Sequence, residues 1–450
     1  MAQASPGQGW SNLGVGLLLL VVVVATFWHG RLFFHDDDWI ALEQMAGTNL
    51  GHYLLMPDSE HWYPFFKLVF YSLLSVFGAR YDLLMLVNSL LTAVNAFLLY
   101  LFYRRLFSLP LALVLTLVYA ISAAHTANIW TVHNITLILS FGFFLASLLL
   151  MESYVRRPRG AKLGALGLTM ALALMSNNFV LLGLLGLPLY ALLQPEPADR
   201  RRWVPLAATV GLVYVLFFSG YFAFAGLAAT ASHNTGVLAG LPGPGYLAHL
   251  FFGAYLSPFL YLFWGHYHFP VAVYFPGVML LIACVGVIWR WGEPAERRLG
   301  LWALALSALP FLLASLVRYQ RSLNQAFVPR YAVFTLIFAL ILVGLAWRIL
   351  SRRLPRGWAY GALPAAFLAL VVLGQLWVLP RWYQEHLKMS QPALAYYQTF
   401  PRTPGPAARD VPDKPHPDFM PARHPGLTLE QKGWIRLFLG GPGAAAADSH

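Results

Sequence analysis

Three consecutive carboxylates, Asp36, Asp37 and Asp38, are the residues of this sequence with the clearest chemical potential. A carboxylate at a helix N-terminus caps free backbone amides, which accounts for one Asp well and a second in part. A third adjacent carboxylate adds only repulsion. A crowded, partly buried carboxylate holds its proton more tightly, which suits proton abstraction from a hydroxyl. The triplet therefore predicts a general base, and Asp36 with Asp37 is an alternative site for a divalent cation through oxygen ligands.

A second group of residues could bind an anion. Lys67 lies in the sequence HWYPFFK, and RYQRSLNQAFVPRY contains Arg318, Arg321, Arg330 and Tyr331. Each arginine taken alone is also explained by snorkelling to lipid phosphates. As a cluster predicted to face an acidic triplet, they favour an anion site, because Arg binds phosphate through paired hydrogen bonds.

Aromatic and polar residues near these groups are candidates for substrate binding. They are Trp39, His61, Tyr63, His133, Asn177 and Asn178. A histidine satisfied at the membrane interface is the alternative for His133, and a simple hairpin turn is the alternative for the two asparagines. The histidines of the chain lack the spacing of metal ligands.

Composition places these residues in a membrane protein. Of the 450 residues, 59% are hydrophobic and 11% are charged, with a mean hydropathy of +0.61; soluble domains carry about 25% charged residues. The single cysteine, Cys284, excludes a disulfide framework. The net charge of +12 lies mostly in short loops, so it indicates membrane topology and no nucleic-acid partner.

Apolar stretches of membrane-spanning length predict a polytopic bundle of about eleven helices. The predicted spans are 12–30, 81–103, 108–124, 133–151, 162–176, 179–194, 203–226, 269–289, 299–317, 330–350 and 358–379. The basic loops at 104–105, 156–162, 200–202, 290–298 and 348–356 all fall on one side if the N-terminus is cytoplasmic. We therefore expect a multi-pass protein of a bacterial inner membrane, with the C-terminus outside.

Two apolar stretches, 63–78 and 246–265, would break this alternation of charge if they spanned the membrane. Their aromatic residues and prolines favour helices at the outer interface. The first belongs to a long outer loop, 31–80, which contains the acidic triplet. A Pro-rich tail follows the membrane module of residues 1–379, and its eleven prolines predict an extended outer segment over 380–450.

The distributed pattern resembles the GT-C superfamily, polytopic glycosyltransferases that use polyprenyl-phosphate-linked sugars. The resemblance lies in FFHDDDWIAL (33–42), in the stretch from HWYPFFK to YRRLF (61–107), in the short helix pair of 162–194, and in PRYAVFTLIFALIL (329–342). Similar families are the lipid A aminoarabinose transferases, the protein O-mannosyltransferases and the bacterial arabinofuranosyltransferases. The resemblance covers roughly residues 12–350.

This resemblance implies a GT-C-like bundle with Asp37 as the catalytic base and Asp36 as the next candidate. It also implies that Lys67 and Arg330 hold the donor phosphate. The chain departs from the pattern in two places: many relatives carry Lys or Glu where this chain has Asn177 and Asn178, and its basic residue follows Pro64 instead of preceding it.

The predicted function is an inverting transfer of sugar from a polyprenyl-phosphate donor to a hydroxyl of a glycan, lipid or protein at the outer face. No cofactor is certain, and a divalent cation is possible. The alternatives are a transporter or flippase of lipids or small molecules, and a structural assembly subunit. A transporter would place ionisable residues at midplane depth or contain repeated broken helices, whereas the predicted spans are nearly free of charge.

Overall fold

The computed structural model describes ten stretches of the chain. They are residues 6–29, 32–35, 37–46, 49–57, 61–192, 200–225, 244–263, 274–318, 326–355 and 362–398. These stretches contain helices and no β-strand, which confirms the predicted all-α architecture. Asp36, Arg321 and residues 399–450 lie outside them, as do the side chains of Asp37, Trp39 and Arg318.

Eighteen α-helices make up the described structure. In the first half of the chain they are α1 (Pro6–Phe27), α2 (Asp37–Ala46), α3 (Leu50–Leu55), α4 (Pro64–Phe77), α5 (Tyr81–Leu106), α6 (Leu109–Ile121), α7 (Thr126–Trp130), α8 (Ile135–Arg156) and α9 (Gly160–Ser176). In the second half they are α10 (Leu181–Leu185), α11 (Leu187–Leu192), α12 (Arg200–Ala225), α13 (Pro244–Phe251), α14 (Ser257–Phe263), α15 (Tyr274–Trp291), α16 (Pro294–Arg318), α17 (Pro329–Ser351) and α18 (Leu363–Gln398).

Each predicted span coincides with helical structure. Among the described residues, seven helices are long and apolar enough to cross a membrane, or eight if one bent pair counts as a single span. Four other predicted spans form shorter apolar helices: Asn12–Phe27, Gly160–Ser176, Asn178–Tyr190 and Phe275–Trp291. The chain is therefore a multi-pass membrane protein, as its composition indicated.

The bent pair replaces a loop that the sequence suggested. Helix α6 is followed at an angle of 43° by the helical segment Ala123–Trp130. A 3₁₀ turn, Val132–Asn134, then leads into α8. Residues 125–132, which separate the predicted spans 108–124 and 133–151, thus form short buried helical turns. Ser122 caps the first of these turns by accepting a hydrogen bond from the Ala124 amide, 3.3 Å away.

Helix α17 forms the centre of the bundle. In its most apolar window 83% of residues are buried, compared with 22% in α12 and in α18. Phe334 and Phe338 of α17 pack edge-to-face on Phe144 of α8, with ring centroids 4.9 and 6.2 Å apart. The exposed apolar side chains of α12 and α18 are those expected of helices that contact lipid.

Ion pairs connect the basic loops at one end of the bundle. Buried Glu152 accepts hydrogen bonds from Arg105 at 2.5 Å and from Arg156 at 2.6 Å. Arg348, at the end of α17, donates to Glu296 and to the Leu106 carbonyl at the end of α5, both at 2.9 Å. The last turn of α5 therefore lies at this arginine-rich end of the bundle. Tyr81, at the first turn of α5, lies at the opposite end.

The segment 244–263 is longer and more apolar than an interfacial helix requires. Helices α13 and α14 are joined by a π-helical turn, Phe252–Leu256, and together they meet the length and composition of a membrane span. Its placement at the interface remains a prediction. The first interfacial prediction, 63–78, coincides with α4, Pro64–Phe77.

Helix α18 continues well beyond the predicted end of the last span at 379. It extends to Gln398 through Pro380, so the first part of the predicted extended tail is helical. Trp382, His386 and Ser390 are buried along this extension. Their spacing of four residues places them on one helix face, and this face binds the chain just before the acidic triplet.

A close crossing fixes the middle of α18 against the end of α14. The Gln375 Nε2 group donates to the carbonyl oxygens of Tyr261 at 3.0 Å and Leu262 at 3.1 Å. Its Oε1 accepts from the Ala123 amide at 2.7 Å. Gly374 lies directly at this crossing, where the two backbones approach too closely for a side chain.

Replacing Gly374 by Ala is expected to destabilise the protein by about 1–3 kcal/mol through overpacking. The new Cβ would lie 2.9 Å from the Phe263 carbonyl carbon and closer still to its oxygen, and neither backbone atom can turn away. Thermal unfolding in detergent measures the effect. Gly286→Ala is the matched control, since nothing lies within 4 Å of its Cβ position; equal melting temperatures for both variants would contradict the prediction.

Candidate functional site

Asp38 is the described carboxylate of the acidic triplet, and it is completely buried. Its Oδ1 accepts a hydrogen bond from the His133 backbone amide at 2.6 Å. Its Oδ2 accepts from the His35 amide at 3.2 Å and from the Tyr81 hydroxyl at 3.1 Å. Asp38 thus joins three separate segments of the chain, and both of its oxygens already accept hydrogen bonds.

Local sequence explains why Asp38 points inward. The Asp38 amide donates to the His35 carbonyl at 3.1 Å while the Asp38 side chain accepts from the His35 amide. These two hydrogen bonds tie the second residue of the helix back to the residue that lies two positions before the helix begins. Helix α2 begins in the structure at Asp37. Asp38 therefore anchors the start of α2, and the base role within the triplet stays a prediction.

Tyr81 occupies its position because of the turn before α5. Gly78 ends α4 with a φ of 56°, a left-handed conformation that glycine adopts without strain, and its amide donates to the Leu74 carbonyl. Tyr81 begins α5 three residues later. Its hydroxyl lies 2.6 Å from the Trp130 carbonyl and 3.1 Å from Asp38, so one phenol proton serves two acceptors.

Lys67 is a buried cation on α4. The helix begins at Pro64, a favoured first helical residue, and the Lys67 side chain is only 1% exposed. Its Nζ donates to the Met56 carbonyl at 2.8 Å and lies 4.9 Å from the Tyr53 ring centroid and 5.8 Å from that of Tyr63. Aromatic faces stabilise an ammonium group that has lost water, so the charge predicted for an anion site is held inside the protein.

Aromatic contacts connect Lys67 with the acidic segment. The His133 ring packs edge-to-face on Phe66 at 4.9 Å and on Tyr63 at 6.5 Å, while its backbone amide binds Asp38. The His61 ring stacks on Tyr63 at 5.8 Å. One continuous set of contacts therefore runs from Lys67 through Tyr63 and His133 to Asp38. The structure brings together these predicted residues from the segment 31–80 and from the 3₁₀ turn that precedes α8.

Asn177 forms the turn between α9 and the next helical segment. Its Oδ1 accepts from the Phe179 amide at 2.8 Å, and its Nδ2 donates to Thr136 Oγ1 at 3.2 Å. This is the hairpin-turn role that the sequence analysis kept as an alternative to sugar binding. Asn178 follows as the first residue of the 3₁₀ turn Asn178–Val180; substrate binding by either asparagine stays a prediction.

Arg330 and Tyr331 lie in the first turn of α17, next to this turn. Tyr331 stacks on Phe179 with ring centroids 4.8 Å apart, and the Arg330 guanidinium lies 5.3 Å from the Tyr331 ring. The Arg330 carbonyl accepts from Asn128 Nδ2 at 3.4 Å. Through Asn177, Thr136 and α8, Arg330 belongs to the same end of the bundle as Asp38. The remaining predicted cations, Arg318 and Arg321, have no described side chain.

Cation binding by the triplet involves residues outside the described structure. Within the described ranges, no group of three or more His, Cys, Asp or Glu side chains is arranged to hold a metal ion. Asp36 and the Asp37 side chain do not belong to those ranges. A divalent cation at Asp36 and Asp37 therefore stays a prediction.

Sequence reasoning missed two residues at this site, Tyr81 and His386. Tyr81 completes the hydrogen bonds of Asp38, and His386 binds the His35 ring at 2.8 Å. The four-residue spacing of Trp382, His386 and Ser390 was an available signal for a continuing helix. It was hidden by the prolines that surround it, which indicated an extended tail.

The overall fold resembles that of a solved GT-C glycosyltransferase, so the resemblance predicted from sequence is confirmed at the level of the fold. The solved structures that it resembles include ArnT from Cupriavidus metallidurans, a GT-C aminoarabinose transferase. The apo structure of ArnT has a TM-score of 0.54 and 17% sequence identity, over 96% of this chain and 88% of ArnT. The structure of ArnT bound to undecaprenyl phosphate has a TM-score of 0.53 and 15% sequence identity, over 96% of this chain and 85% of ArnT. No protein-family model and no curated protein matches the chain.

Proposed function

We propose that this protein is a membrane glycosyltransferase that moves a sugar from a polyprenyl-phosphate donor to an acceptor hydroxyl at the periplasmic face. The observation that carries the proposal is the contact path from buried Lys67 through Tyr63 and His133 to Asp38. This path connects a cation to the acidic start of α2, which supports a shared site for both. The same fold in ArnT, whose structure with undecaprenyl phosphate is known, supports a lipid-phosphate donor.

The proposed reaction is a single displacement with inversion. The acceptor oxygen attacks C1 of the sugar and forms the new glycosidic bond, while the bond from C1 to the phosphate oxygen breaks. The acceptor proton passes to a carboxylate of the triplet. The leaving polyprenyl phosphate keeps the bonding electrons as an anion, so it requires electrostatic stabilisation and no protonation.

Asp37 is the proposed base, because Asp38 is fully buried and both of its oxygens accept hydrogen bonds. Asp37 is the first residue of α2, and Asp36 immediately precedes it. Lys67 and Arg330 are the proposed ligands of the donor phosphate, with Arg318, Arg321 and Tyr331 as further contacts. In an alternative form, Asp36 and Asp37 bind a divalent cation that contacts the phosphate; loss of transfer on chelation and recovery with added cation would identify this form.

A bound donor tests the proposal most directly. We expect a structure with undecaprenyl phosphate to place the phosphate group within hydrogen-bonding distance of Lys67 or Arg330, and purified protein to release polyprenyl phosphate from a sugar-linked donor when acceptor is present. The sugar and acceptor are found by offering hexosyl, pentosyl and aminopentosyl donors with glycan, lipid and protein acceptors. Phosphate bound at the opposite, arginine-rich end of the bundle would contradict the proposal.

A lipid flippase is the second candidate, favoured by the 43° break between α6 and the segment Ala123–Trp130. Broken helices are characteristic of transporters. The two candidates differ in product: a transferase forms a glycosidic bond, whereas a flippase moves unchanged labelled lipid between leaflets of a vesicle. Movement of intact donor across proteoliposomes, without any transfer, would favour the flippase.

A further inference from the structure

The outer half of α18 binds the chain segment that leads into the acidic triplet. His35 Nε2 lies 2.8 Å from His386 Nδ1, and Ser390 Oγ donates to the Phe33 carbonyl at 3.2 Å. Beside them the His29 ring lies 4.6 Å from the Tyr383 ring. Residues 32–35 therefore lie on one face of a helix that follows them by some 350 residues in sequence. The contact is polar at its centre and aromatic at its edge.

The hydrogen bonds of the two imidazoles have a defined direction. A carbonyl oxygen only accepts, so the 2.7 Å contact between His35 Nδ1 and the Phe33 carbonyl puts the His35 proton on Nδ1. In a neutral His35 ring Nε2 is then the acceptor, and His386 Nδ1 supplies the hydrogen. Both rings are buried, so water does not replace this donor. The orientation of His35 thus depends on a hydrogen from His386.

His35 in turn fixes the start of α2. Its amide donates to Asp38 Oδ2, and its carbonyl accepts from the Asp38 amide at 3.1 Å. Its ring also lies 3.5 Å from the Tyr81 hydroxyl that binds Asp38. Asp36 and Asp37 are the only residues between these two anchors. Any rotation of the His35 backbone therefore moves the carboxylates that the proposed reaction uses.

We propose that His386 is a positioning residue of the active site: through His35 it holds the backbone of the acidic triplet in the geometry for proton abstraction. The expected effect on the rate rests on the proposed function, whereas the claim that His386 orients the backbone of the triplet does not. His386 does not touch the reacting atoms. A displacement of about 1 Å in a catalytic group lowers rates by about a hundredfold, so a ring on a distant helix has a measurable influence on turnover.

The test compares variants that separate ring volume from hydrogen bonding. His386→Phe keeps an aromatic ring against Trp130, whose centroid lies 5.4 Å away, and removes the donor. His386→Asn keeps an amide hydrogen close to the Nδ1 position, and His386→Gln moves that hydrogen further out. The matched control is His249→Phe, because His249 is equally buried and bonded to Ser315 at 2.9 Å between α13 and α16.

We expect His386→Phe and His386→Gln to lower kcat about ten- to hundredfold with an unchanged KM for the donor. His386→Asn should retain most of the wild-type rate, and His249→Phe should leave it unchanged. Amide hydrogen exchange over residues 32–38 should become faster in the Phe and Gln variants of His386 only. Should the Phe variant fail to fold, the comparison of Asn with Gln decides the same question.

The two readouts separate this proposal from the proposed function. Wild-type protein without transferase activity would contradict the function, and exchange over 32–38 would still decide the role of His386. Wild-type kcat and unchanged exchange in His386→Gln would overturn the positioning role. An equal loss of rate in His249→Phe would also overturn it, because the effect would then follow from general destabilisation.

Discussion

Replacing Asp37 by Asn is expected to lower the rate of sugar transfer by about 10²–10⁴-fold, the usual contribution of a general base. The amide is similar in size to the carboxylate but does not accept the proton of the acceptor hydroxyl. Binding of the polyprenyl-phosphate donor should change little, since Asp37 is not proposed to contact the phosphate. Single-turnover transfer and donor affinity, measured on the same preparation, separate these two effects.

Asp38→Asn is the informative comparison for Asp37. Asp38 accepts from the His133 and His35 amides and from the Tyr81 hydroxyl, and an asparagine would turn a donor toward one of them. A buried polar group left unsatisfied costs about 1–3 kcal/mol, so this variant should melt at a lower temperature. Asp37→Asn should melt like the wild type. If Asp36→Asn abolishes transfer and Asp37→Asn does not, our assignment of the base is wrong.

The second large effect is expected from Lys67→Met, which keeps the length of the side chain between Tyr53 and Tyr63 and removes its charge. A hydrogen bond to a charged group contributes about 1.5–3 kcal/mol, and 1.4 kcal/mol corresponds to about a tenfold change in affinity. We therefore expect undecaprenyl phosphate to bind about ten- to hundredfold more weakly, and the KM for the donor to rise accordingly. Titration of the lipid phosphate by tryptophan fluorescence measures the affinity.

Lys162→Met is the matched control for this experiment. Lys162 lies at the arginine-rich end of the bundle, where its Nζ donates to the carbonyl oxygens of Ser153 and Arg157. Loss of its charge should leave the donor affinity unchanged. Equal weakening by both substitutions would indicate that total charge controls binding. Unchanged affinity in Lys67→Met would remove Lys67 from the proposed phosphate site.

Helix positions were predictable because they depend on local properties of the chain. The apolar stretch at 330–350 became α17, Pro329–Ser351, and the interfacial prediction at 63–78 became α4, Pro64–Phe77. Prolines at the first positions and apolar length decide such boundaries without reference to the remaining chain. The break at Asn177 also followed from local sequence, since asparagine readily caps the next turn.

Two local predictions differed from the structure for a common reason. The short helices of Ala123–Trp130 stand where a loop was expected, and α18 continues to Gln398 where a Pro-rich tail was expected. Polar residues weakened the helical signal in both segments, and the α18 extension also contains Pro380 and Pro392. Packing against the bundle compensates: Trp130 and His386 are buried against each other at 5.4 Å, and most helix stability comes from such tertiary contacts.

The sequence by itself determined the class of protein, the helices and the candidate residues of the site, because apolar length, charge pattern and residue type are local quantities. Only the tertiary structure supplied two of the hydrogen-bond donors to Asp38, since the Tyr81 hydroxyl and the His133 amide come from 43 and 95 residues away. Only the tertiary structure joined His35 to His386 across 351 residues. Such pairings depend on how the helices pack, and no short stretch of sequence contains that information.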